Sequence, residues 1–98
     1  MKIEKTIDNG KACYALEGRL DTTTAPELER ALKDDMDGLT ELVMDFSKLA
    51  YISSAGLRVL LSAHKAMSKK GGMKITNVNE IVNDVFDVTG FSDILTIE

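Results

Sequence analysis

Ninety-eight residues, 44% hydrophobic and 29% charged with one Pro and no Trp, are ordinary chemistry for one small globular domain. Twelve Lys and Arg against sixteen Asp and Glu give a net charge of −4, which leaves no electrostatic basis for binding nucleic acid or an anionic membrane. A single Cys and a single His exclude an internal disulfide, multi-Cys or multi-His metal centres, and most catalysis that depends on clusters of these residues.

Residues 2–7 alternate in the manner of a half-exposed strand, and Asn9-Gly10 predicts a type I′ hairpin turn into a second strand over 11–17. The nearly continuous apolar character of that second strand places it more centrally, with Cys13 as a small packed residue and an inert thiol. Thr24-Ala25-Pro26-Glu27 has the form of a capping box, with Pro in the first turn where it costs no helical hydrogen bond. Leu28, Ala31 and Leu32 supply the apolar stripe of that helix, and Gly38 closes it or the loop after it. Residues 40–46 read as a buried strand, followed by a short apolar bend. A second helix is expected over 54–69, ending at Lys69-Lys70-Gly71-Gly72. Met73–Thr76 is a short strand, Asn79 caps a third helix stopped by Gly90, and Leu95–Ile97 is a last short strand. Strands and helices alternating after a hairpin predict an α/β protein, a mixed sheet with helices packed on it. No apolar run approaches the about 18 residues of a membrane span, and Met1–Lys11 has no stretch of signal-peptide length. The expectation is therefore a single cytoplasmic domain over 1–98.

The informative stretch runs from Asp45 to Leu61, where a buried strand leads through two serines into a helix. Ser53 or Ser54 stands at the helix start, where a hydroxyl caps free amides. The same place favours anions, because unpaired N–H groups and the positive end of the macrodipole converge there. A phosphate esterified to that serine would be held partly by the helix itself. On local grounds alone, serine before a helix is a cap far more often than a phosphosite.

Residues 41–61 resemble the signature region of the STAS domains of bacterial anti-sigma factor antagonists. That family carries a phosphorylatable serine in the pattern Asp-Ser-(Ser/Thr/Ala)-Gly-Leu, and the run here is Ser53-Ser54-Ala55-Gly56-Leu57. Gly18-Arg19-Leu20-Asp21 is similar to the family's Gly-x-Leu/Ile-Asp, and Val43-Met44-Asp45-Phe46-Ser47 to its strand ending in an acidic or amide residue. Val85-Phe86-Asp87-Val88-Thr89-Gly90-Phe91 is similar to its Leu-Phe-Asp-x-Ser/Thr-Gly-Leu. The resemblance implies a single STAS domain with a mixed sheet of about four to five strands and about three to four helices. It also implies a non-enzymatic switch without cofactor or metal. Such a protein binds an anti-sigma factor that is also a serine kinase, is released on phosphorylation, and is reset by a phosphoserine phosphatase. The phosphoacceptor maps onto Ser54, with Ser53 as the alternate hydroxyl standing where well-known members carry Asp. Asp21, Thr22, Ser53, Ala55, Gly56 and Arg58 are the implied partner contacts.

Other residues have competing readings. Asp21 and Asp45, placed after or at strand ends, are expected to approach the Ser54 loop; the alternatives are a loop-capping carboxylate and a solvated strand end. Arg58, Ser62, Lys65 and Lys69 continue down one helix face, either a docking surface or the wet face of any amphipathic helix. His64 lies ten residues from Ser54, about 15 Å along a helix, which excludes a Ser–His hydrolytic pair. A receiver-like phosphoacceptor domain using Asp45 lacks an acidic pair after the first strand and has Lys74 at the wrong end of its strand. A milder alternative keeps the fold as a scaffold or sensor subunit without phosphorylation.

Overall fold

The turn residues set the first part of the architecture. Asn9 and Gly10 both take positive φ, 51° and 83°, as a type I′ hairpin requires. They pair β1 (Lys2–Asp8) antiparallel with β2 (Lys11–Leu20), from Lys2↔Glu17 to Asp8↔Lys11. The chain then runs through α1 (Ala25–Asp35), β3 (Glu41–Ile52), α2 (Ser54–Met67), β4 (Met73–Thr76), α3 (Glu80–Thr89) and β5 (Thr96–Ile97). This computed structural model describes residues 1–98. The five strands lie in sequence order, and every pair after the first is parallel. The mixed sheet, its opening hairpin and three helices are the α/β arrangement expected from the sequence.

Each strand buries one side only. Ala12, Tyr14, Leu16 and Leu20 of β2 face the core with Leu42, Met44, Phe46, Leu49 and Ile52 of β3. Leu28 and Leu32 of α1, Leu57, Leu60, Ala63 and Met67 of α2, and Val82 and Phe86 of α3 close over them. Lys11, Cys13, Glu17, Glu41 and Lys74 stand exposed on the bare opposite face. Cys13 is therefore an exposed thiol, not the packed residue its apolar neighbours suggested. Its neighbours Ala12 and Tyr14 point the other way because side chains alternate along a strand.

β3 is longer than the expected strand, and the segment read as an apolar bend is its second half. Between Ala15 and Glu17 of β2, the partner advances from Asp45 to Lys48, and between Gly18 and Arg19 from Leu49 to Tyr51. Two extra residues on β3 are two bulges, which shift the buried positions from 42, 44 and 46 to 49 and 52. The extension carries β3 alongside the end of β2, so Leu20 pairs with Ile52 and both strands stop together.

The helix ends differ in how they are capped. Asn79 accepts from the Val82 amide at 2.8 Å and donates through Nδ2 to the Leu49 carbonyl at 2.8 Å, fixing the start of α3 on β3. Gly90 closes α3 with φ of 81°. The predicted capping box at Thr24 does not form. The Thr24 hydroxyl instead accepts from the Asp21 amide and donates to the Arg19 carbonyl, while the Asp21 carboxylate receives the Thr23 and Thr24 amides. The Asp21 side chain thus closes its own tight turn before α1, and the Glu27 amide goes to the Thr24 backbone carbonyl at 3.0 Å.

Away from the helix starts, Tyr14 joins β2 to the end of α1. Its buried hydroxyl donates to Asp35 at 2.5 Å and lies 3.1 Å from the Ala31 carbonyl, and Lys5 of β1 reaches the same carboxylate at 3.0 Å.

Candidate functional site

The common end of β2 and β3 brings two loops together. The Ser53 amide donates to the Leu20 carbonyl at 2.9 Å, stitching the last residue of β2 to the residue before α2. Ser53 is the residue before the helix, in extended conformation, and Ser54 is the first helical residue. Neither serine hydroxyl caps α2: the Ser53 Oγ is buried without a partner. The first intrahelical bond runs from the Leu57 amide to the Ser53 carbonyl at 3.0 Å. The amides of Ser54, Ala55 and Gly56 precede it, so they have no intrahelical acceptor. Ser54 itself is exposed.

Gly56 explains how the helix start sits so low on the sheet. A Cβ at this position would meet Leu20 Cγ at 2.7 Å and Ile52 Cγ1 at 2.9 Å, both on fully buried side chains. Among the six expected contact residues, Gly56 is buried and its role in this geometry is close packing. Thr22, Ala55 and Arg58 come together. With Ala25, Pro26, Glu29 and Val59 they line a groove of about 330 Å³ between the starts of α1 and α2. A second hollow of about 310 Å³ shares Glu29 and Val59 and continues between the helices past Leu32, Met36, Ser62 and Ala66. The contribution of α1 to this groove carried no signal in the sequence, because which helices become neighbours depends on the crossovers.

Asp21 lies in the loop joined to Ser53 through Leu20. The Thr23 hydroxyl, aided by the Thr24 and Thr23 amides, holds its carboxyl below the usual carboxylate range. Its second oxygen lies 3.7 Å from the Arg19 guanidinium, and Arg19 stacks 4.4 Å from the centre of the Tyr51 ring. That stacked arginine was invisible in the sequence, since it depends on the second bulge, which sets Arg19 opposite Tyr51. Asp21 thus performs the loop-capping role and keeps one oxygen facing a cation.

Asp45 is corrected. It lies within β3, opposite Ala15 and Thr76. The stretch from there to Ile52 is spanned by the five steps of β2 from Ala15 to Leu20, about 17 Å. Asn77 Nδ2 at 3.0 Å and the Ser47 amide at 2.9 Å hold its carboxyl below the usual range. It braces the start of the β4–α3 loop, away from the serines. The strand order also differs from the 2-1-3-4-5 order of doubly wound receiver-type sheets. Arg58, Ser62 and Lys65 are exposed along α2, while Lys69 is exposed in the turn after it, because the helix ends at Met67 and not at 69; His64 is half-buried on the same helix.

No group of three or more His, Cys, Asp or Glu converges to hold a metal, and no helix is long and apolar enough to cross a membrane. The site is one exposed hydroxyl at a helix start, free amides beside it, a cation one turn on and a groove at its flank.

Known proteins resemble this chain in sequence and in fold. The anti-sigma-B factor antagonist of Bacillus subtilis is 32% identical over 81 residues, covering 82% of this chain and 74% of that protein. The crystal structure of an anti-sigma factor antagonist from Mycobacterium paratuberculosis superposes with a TM-score of 0.88 at 23% identity, over 98% of this chain and 83% of that one. The phosphorylated form of the Bacillus cell fate determinant SpoIIAA superposes with a TM-score of 0.77 at 15% identity, over 99% of this chain and 91% of that one. The family model described as STAS domain matches residues 2–98, and the chain belongs to the STAS domain family.

Proposed function

We propose that this protein is an anti-sigma factor antagonist that works by partner switching and has no catalysis of its own. Unmodified, it binds a cytoplasmic anti-sigma factor that is also a serine kinase, and so frees the sigma factor. The kinase then transfers the γ-phosphoryl group of ATP to the Ser54 Oγ; the hydroxyl proton is lost and ADP leaves. Release follows, and a phosphoserine phosphatase hydrolyses the ester to restore Ser54.

The observation that carries this reading is the exposed Ser54 hydroxyl at the first position of α2, beside the groove lined by Thr22, Ala55 and Arg58. The partner contacts of this reading are Asp21, Thr22, Ser53, Ala55 and Arg58, on the two loops and helix starts joined at Leu20 and Ser53, and Gly56 sets the height of α2. A phosphate there brings about −1.5 to −2 charge. The chain tolerates it: the α2 dipole and free amides stabilise an anion, and Arg58 lies one turn away. A partner surface that accepted a neutral hydroxyl must desolvate that charge or leave. The same added charge therefore stabilises the free protein and weakens the complex.

The test is mass spectrometry after incubation with the partner kinase and ATP, with affinity measured in parallel. One phosphate is expected, absent in Ser54→Ala and retained in Ser53→Ala. Ser54→Asp should weaken partner binding about tenfold or more. Phosphate on Ser53 alone, or unchanged affinity in Ser54→Asp, refutes the assignment.

A further inference from the structure

The third helix carries a surface that the Ser54 site does not use. In α3, Ile81 is 60% exposed and Val88 is 87% exposed, with Val85 half-buried between them. At 3.6 residues per turn, these three fall within about 60° of arc and form a ridge about 10 Å long. Val82 and Phe86 occupy the core side of the helix and Val85 packs at the edge of the core, so the exposed side chains of Ile81 and Val88 are extra to what packing on the sheet needs. Glu80, Asp84 and Asp87 occupy the adjoining about 60°, on the side away from the core. A shallow hollow of about 230 Å³ opens among Asp84, Val85, Val88 and Thr89.

Charge says what covers this face. All twelve Lys and Arg lie within residues 1–74, while residues 75–98 carry five Asp and Glu and no Lys or Arg. Of those five acids only Glu98 has an ion-pair partner, Lys74 at 3.3 Å; Glu80, Asp84 and Asp87 have none. An antiparallel pairing with a second copy would lay one acidic row along another, and an anionic lipid surface would be repelled.

We infer that α3 is a docking face for a basic amphipathic helix of another protein, with apolar residues at i, i+4 and i+7 seated on Ile81, Val85 and Val88. Lys or Arg along one flank of that helix meets Glu80, Asp84 and Asp87, the arrangement by which flanking charges select partners in paired helices. This second surface is independent of Ser54, so the protein can hold one partner at α3 while it exchanges another at the helix starts.

The probe is a synthetic helical peptide with Leu at i, i+4 and i+7 and Arg along one flank, together with a twin carrying Glu in place of Arg. Each is titrated into the isotope-labelled full chain and followed by amide chemical shifts. The Arg peptide should shift residues 80–94 and bind about tenfold or more tightly than the Glu twin. Binding should weaken to a similar extent in Asp84→Lys/Asp87→Lys and in Val88→Asp, and should fall when salt rises from about 0.05 M to about 0.5 M. Both variants change exposed side chains, and an unchanged spectrum outside α3 verifies their fold. Ser54→Ala should bind the peptide as the parent does, which separates this inference from the phosphorylation reading. Equal binding of the Glu twin, shifts centred on the α1–α2 groove, or no shifts at all would overturn it. Self-association abolished by Val88→Asp, or binding to phosphatidylglycerol vesicles, would assign the face to another occupant and equally overturn it.

Discussion

Replacing Gly56 with Ala sets two effects of opposite sign against each other. Alanine is the better helix former, favoured by about 0.8–1.0 kcal/mol in a helix interior. Its methyl group would meet Leu20 Cγ at 2.7 Å and Ile52 Cγ1 at 2.9 Å. These are branch atoms near the backbone of fully buried side chains, not the free ends of flexible ones. Relief therefore requires α2 to rise from the sheet or β2 and β3 to repack, at about 1–3 kcal/mol for an overfilled core and toward the upper end here. The contact outweighs the propensity, and the net expectation is a loss of about 1–2 kcal/mol. For a domain of this size, that lowers the melting temperature by roughly 4–16 °C. Gly38→Ala is the control, because no atom lies within 4 Å of its prospective Cβ; it should be neutral or slightly stabilising. Thermal unfolding followed by circular dichroism decides the matter. A Gly56→Ala melting point equal to or above the parent's would mean that the start of α2 moves freely, and that its height on the sheet does not position Ser54.

Three further outcomes are expected. Ser54→Asp should raise the melting temperature of the free protein by a few degrees, since a carboxylate at the first turn contributes about 0.3–1 kcal/mol; no rise would contradict the anion-stabilising helix start. The Asp35 carboxyl is held below its ordinary range by the Tyr14 hydroxyl first and then Lys5, so its contribution is present above about pH 4 and lost as pH falls through the lowered native value. Asp35→Asn should flatten acid unfolding, and Tyr14→Phe should cost about 1.5–3 kcal/mol; an unchanged acid limb in Asp35→Asn would refute the linkage. Cys13, exposed on the open sheet face, should react with a thiol reagent in the native protein as fast as in the unfolded one; protection would show that this face is covered.

The element order was readable in the chain because its punctuation is local: Asn9-Gly10, Asn79 and Gly90 act within a few residues of themselves. The second half of β3 was not. Its two bulges displace the side-chain alternation at Ser47-Lys48 and again at Ala50, and a bulge is defined by the partner strand. Cys13 was misplaced because an apolar run reads as buried on both faces, whereas only one face of this sheet is covered. The Thr24 hydroxyl is taken up by the Arg19–Asp21 turn instead of the helix start, an outcome that spacing does not rank. At the site, the helix start was legible, since two serines before an apolar helix are a local pattern, whereas the choice between the two hydroxyls came only from the family resemblance. Arg19 on Tyr51 and the contribution of α1 to the groove exist only after the strands register and the helices cross.

The stitch from the Ser53 amide to the Leu20 carbonyl has a consequence for any enzyme that modifies Ser54. Ser54 sits in the first turn of a packed helix, with its neighbour tied to a strand and Gly56 pressed on the core. Cut out as a short peptide, the same residues would lose that turn, because isolated helices of this length barely form in water. On the proposed function, a kinase acting on Ser54 would have to recognise a folded surface assembled from β2, β3 and two helix starts. Substrate quality then becomes a readout of folding: a destabilised variant fails as a substrate even with its serine intact, and an unfolded chain never signals.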